Sequence, residues 1–64
     1  CNLIMRRFIK DIKGDFVDFD VVVSLMDDEI RERIHFDNPN LTPQEFYDTY
    51  YDLHYQEYGE FFTI

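Results

Sequence analysis

The chain has almost none of the residues that staple, punctuate or catalyse in a domain of its size. Of 64 residues, one is cysteine, one serine, two glycine, two proline and none tryptophan. A lone cysteine closes no intrachain disulfide, which excludes the disulfide-stapled secreted mini-protein. Cys1 and the two histidines have no zinc-ligand spacing, so no metal is expected. Two glycines cannot build a P-loop or a dinucleotide fingerprint, and Ser24 lacks a Gly-x-Ser-x-Gly context. A chain this short also has little volume for a deep cleft. Neither an enzyme nor a cofactor is expected. No apolar run approaches the ~20 residues that span a bilayer, and no signal-peptide pattern is visible. A cytoplasmic protein is expected.

Positive charge is scarce as well. Six Lys and Arg stand against 14 Asp and Glu, for a formal charge of -8. Direct binding to nucleic acid or to an anionic membrane is disfavoured, because the phosphate interaction is repulsive. The charge is uneven. Arg6, Arg7, Lys10 and Lys13 against Asp11 make residues 1–14 net positive. Residues 38–64 hold Glu45, Asp48, Asp52, Glu57 and Glu60 with no Lys or Arg. The chain opens at Cys1, which receives no function, and Met5 is a candidate natural start.

What is abundant is aromatic. Seven Phe and five Tyr give a fraction of 19%, far from the composition of a disordered chain. One small domain over residues 1–64 is expected, with a marginal core.

The pattern predicts an α+β fold. Residues 3–11 and 15–19 are rich in strand formers, and Asp11-Ile12-Lys13-Gly14 between them makes a hairpin turn. Val22, Met26, Ile30 and Ile34 repeat every four residues and predict a first helix over about 20–35, capped by Asp20. The three valines and the acids at 27–29 argue for a later start, near Ser24. Thr42, Pro43 and Glu45 form a capping box with Pro at N1, and Leu41 and Phe46 a hydrophobic staple. With Gly59 as the stop, the second helix spans about 43–58. Phe61-Phe62-Thr63-Ile64 reads as a short third strand. The expected order is an N-terminal β-hairpin followed by two α-helices, ββαα.

Two constellations point to a partner. Asp48 and Asp52 lie one turn apart on the second helix, about 6 Å along its axis. Asp28 and Glu32 repeat that spacing on the first, beside Asp27. DNA carries one charge per about 1.7 Å of axis, and carboxylates fixed on a helix can imitate such a row. All five tyrosines fall between 47 and 58, more than so small a core can take, and tyrosine favours interfaces. Tyr51 and Tyr55 are candidate anchors, with Glu45, Asp48 and Asp52 expected on the face opposite the Tyr47–Tyr51 stripe. Glu32-x-x-His35 has the spacing of helical di-metal sites, yet chance supplies it among so many acids.

In size, charge and aromatic content the chain resembles small acidic proteins of phages and mobile elements, including DNA-mimic inhibitors of the anti-restriction and anti-CRISPR kind. That resemblance implies a non-enzymatic inhibitor that binds a basic, nucleic-acid-binding protein. The alternative is a small assembly module or homodimer using its tyrosine-rich helix, including antitoxin-like neutralisation of a basic partner.

Overall fold

The structure, a computed structural model, describes residues 7–63. Cys1, Met5, Arg6, Ile64 and the first half of the expected first strand lie outside the described residues. The elements are β1 (Phe8–Lys10), β2 (Phe16–Asp18), α1 (Phe19–Leu25), α2 (Asp28–Asp37) and α3 (Pro43–Tyr58). The fold is α+β with the hairpin first, as the sequence predicts, but with three helices rather than two.

The hairpin is antiparallel, with Ile9 opposite Val17. Paired residues share a face. Ile9 is buried and Val17 packs on the core, while Phe8, Lys10 and Phe16 lie on the outer face. The turn is built by Asp11. Its carbonyl accepts from the Gly14 N–H, and its Oδ1 accepts from the backbone N–H groups of Lys13 and Asp15, all at 2.9 Å. Gly14 sits at φ 87°, the left-handed region that suits glycine. Both strands are shorter than expected. Asp11 belongs to the turn, and Asp18 ends β2 by capping α1, its side chain accepting from the Asp20 N–H. The cap is therefore Asp18 rather than Asp20.

The expected helix over 20–35 is broken. Met26 and Asp27 are both extended, with ψ of 148° and 128°. Asp27 caps α2, its carboxylate accepting from the Ile30 N–H at 3.2 Å. Its own N–H donates to the Tyr50 hydroxyl at 2.6 Å. An amide that would continue the helix is thus held by a side chain of α3. The apolar stripe survives the break, because Val22, Met26, Ile30 and Ile34 are all buried.

Helix α3 matches its expected bounds. Thr42 and Glu45 close the capping box at 3.2 and 3.0 Å, and Gly59 ends the helix at φ 71°. The third strand does not form among the described residues, where the sheet has two strands. The tail turns back at Gly59 and lays its rings on α3. Phe62 is buried and meets Tyr50 edge-on at 4.8 Å. The core is built from Ile9, Phe19, Val22, Met26, Ile30, Ile34, Tyr47, Tyr50 and Phe62, with Val17 of β2 partly buried against it.

Candidate functional site

Helix α3 carries four of the eight partner residues read from the sequence on one stripe. Asp48, Tyr51, Asp52 and Tyr55 stand at spacings of three and four, so they share a face. Asp48 and Asp52 are exposed, and neither forms an ion pair with a described residue. The two ion pairs among the described residues, Arg7–Asp20 at 3.4 Å and Arg31–Asp28 at 3.2 Å, lie elsewhere.

The hairpin fixes how this stripe is presented. The Gln44 amide satisfies the outer edge of β1. Its Oε1 accepts from the Lys10 N–H at 2.8 Å, and its Nε2 donates to the Lys10 carbonyl at 3.0 Å. That Nε2 also lies 3.2 Å from Asp48 Oδ1. Gln44 therefore ties the hairpin to α3 and orients Asp48. An open groove of about 430 Å³ runs between them, lined by Lys10, Asp11, Ile12, Tyr47, Asp48 and Tyr51. The Tyr47 phenol is pushed up chiefly by burial. The Ile12 backbone amide opposes that shift, and the charges of Asp11 and Asp48 add to it.

The remaining candidates are placed differently. Glu45 is engaged in the capping box, and the Thr42 backbone N–H, then its hydroxyl, holds the carboxyl below its usual range. Asp27 is half-buried at the head of α2. Besides capping α2 it influences the Tyr58 phenol, whose pKa is raised by partial desolvation and then by the Asp27 charge. Burial likewise raises Tyr50, against the stabilising Asp27 amide. Asp28 is exposed and pairs with Arg31. Glu32 lines a second open groove, of about 500 Å³, with Arg7, Phe19, Val23, Leu41 and Phe46. Phe46 and Asp48 are two residues apart and so point to nearly opposite flanks of α3, at about 100° per residue. The acids of α2 and α3 thus form two patches.

The tyrosines divide in the same way. Tyr47 and Tyr50 are core residues, whereas Tyr51 is half-buried and Tyr55 is 46% exposed. Sequence reasoning missed Phe61. It stacks on Tyr51 at 5.8 Å and on Tyr55 at 4.8 Å, with interplanar angles of 18° and 28°. The signal that could have found it is Gly59, a left-handed stop that reverses the chain over the last turns of α3.

Among the described residues no three His, Cys, Asp or Glu side chains converge as metal ligands, and no helix is long and apolar enough to cross a membrane. The fold is that of a small acidic α+β protein with carboxylates and rings along one flank of α3. Residues 10–62, most of the chain, match the family model of the anti-CRISPR protein AcrIC5. The chain belongs to that family, which makes it an anti-CRISPR inhibitor. A search of curated proteins finds no match.

Proposed function

We propose that the chain inhibits its CRISPR–Cas target by DNA mimicry, docking its acidic flank on a basic surface that would otherwise hold nucleic acid. The site of action is the cytoplasm, where such a complex meets DNA. The observation that carries this reading is the stripe of α3. It sets Asp48 and Asp52 one turn apart, exposed, on a chain segment without Lys or Arg. Partner Lys and Arg would take the place of the missing counter-charges, and Tyr51 and Tyr55 would supply contact area beside them. Asp28 and Glu32 on α2 form an outlying acidic patch. Asp27 and Glu45 serve the interface indirectly, by holding the heads of α2 and α3.

Neutralising both carboxylates tests this directly. The double variant Asp48→Asn, Asp52→Asn should keep its fold, since both side chains are exposed. It should bind the CRISPR–Cas target about 10-fold or more weakly at low salt, mainly through slower association. The gap to the parent chain should narrow as salt rises, because exposed charges are screened. Unchanged binding at low salt would reduce the stripe to a solvated face.

A further inference from the structure

We infer that the ladder formed by Tyr51, Phe61 and Tyr55 makes this flank selective for arginine over lysine in its partner. The inference rests on the acidic-flank reading above and adds the chemistry of the recognised side chain. Phe61 stacks on both tyrosines within 28° of parallel. Phe61 nevertheless stays 61% exposed and Tyr55 46% exposed, so aromatic surface remains open to a partner. An apolar ladder of this kind, left uncovered, needs an occupant whose own charge suits its surroundings. Those surroundings are acidic. Asp52 precedes Tyr55 by three positions on the same helix, Asp48 precedes Tyr51 by three, and Glu60 adjoins Phe61.

A cation is therefore favoured, and the rings decide which one. The guanidinium is planar, weakly hydrated and able to lie flat on an aromatic face while its N–H fork reaches a carboxylate. The lysine ammonium is a compact, strongly hydrated point charge and gains little from a stack of parallel rings. Within the chain both cations meet a ring, the Arg7 guanidinium 5.1 Å from the Phe19 centroid and the Lys10 ammonium 5.4 Å from that of Phe16, but of the two only Arg7 also pairs with a carboxylate, that of Asp20. The carboxylates supply attraction to either cation, and the ladder supplies the preference.

The test is a titration of the full chain at low salt with an arginine-rich peptide and with a lysine-rich peptide of equal length and charge, followed by calorimetry and by amide chemical shifts. The arginine peptide should bind about 10-fold more tightly, with shifts at Tyr51, Tyr55 and Phe61. Phe61→Leu should bring its affinity down to that of the lysine peptide and leave the lysine peptide unchanged. Tyr55→Leu serves the same end should the tail of Phe61→Leu come away, and the Asp27 amide signal reports that the fold is intact. The double Asp→Asn variant should weaken both peptides alike. Equal affinities in the parent chain, or a preference that survives both leucine variants, would overturn the selectivity and leave the acidic flank standing. Binding of neither peptide would overturn both.

Discussion

Asp27 shows how much one side chain can settle in a domain this small. Its carboxylate caps α2, its backbone N–H donates to the Tyr50 hydroxyl, and its charge helps raise the Tyr58 pKa. Tyr50 is 1% exposed, so its hydroxyl is in the core only because that amide meets it. Tyr50→Phe removes the acceptor and leaves the Asp27 N–H partly buried without a partner. It should destabilise the chain by about 1–2 kcal/mol in urea unfolding. The alkaline limb carries the same signature. Tyr47, Tyr50 and Tyr58 have raised pKa values in the folded chain. The stability this represents is complete below the ordinary phenol pKa of about 10 and is lost as pH rises through the folded values. Tyr50→Phe should make that loss less steep, and an unaltered limb would place the titration elsewhere. From sequence, Asp27 was legible as an exposed acid and a helix-start residue, but not as a node. The hydroxyl it meets lies 23 positions away, and no local pattern reports it.

The elements differ in how far their own residues determine them. Helix α3 was legible to its ends because its signals are local: Thr42, Pro43 and Glu45 at one terminus and Gly59 at the other. The break between α1 and α2 was not, because the four-residue repeat from Val22 to Ile34 runs in step across it. The acids at 27–29 are the better hint, since they suit a helix start: Asp27 is the cap of α2, and Asp28 and Glu29 lie in its first turn. The tail is open to a strand reading because apolar, β-prone residues are ambiguous over four positions; among the described residues, packing of Phe62 on Tyr47, Tyr50 and His54 takes its place. The capping box gives an element-scale prediction. Thr42→Ala should cost about 1 kcal/mol of stability by thermal or urea unfolding. Glu45 has a lowered carboxyl pKa, so its contribution is present above the ordinary carboxylate range and is lost as pH falls through the folded value. Glu45→Gln removes the titrating group and should flatten that acid limb, whereas Thr42→Ala keeps the backbone N–H that chiefly lowers the carboxyl; an equally steep limb in Glu45→Gln would place the titration elsewhere.

For the whole molecule, one division of labour organises the rest. The core takes Tyr47, Tyr50 and Phe62, and the hairpin is clamped to α3 through Gln44. The outer flank of α3 is left with rings and with two carboxylates, Asp48 and Asp52, that form no ion pair with a described residue. Net charge and the absence of Lys and Arg after Arg33 made the character of that surface legible in the sequence. Its extent was not, because which acids sit together depends on the α2–α3 packing, and that packing sends Glu32 and Asp48 to different grooves. The central claim is that this flank stands in for nucleic acid on the CRISPR–Cas target. The direct measurement is a competition in which the target complex, loaded with labelled duplex DNA carrying its recognition sequence, is titrated with the chain. Displacement of the DNA in step with binding of the chain, each excluding the other, is the predicted result. A stable ternary complex, with DNA retained while the chain is bound, would contradict it.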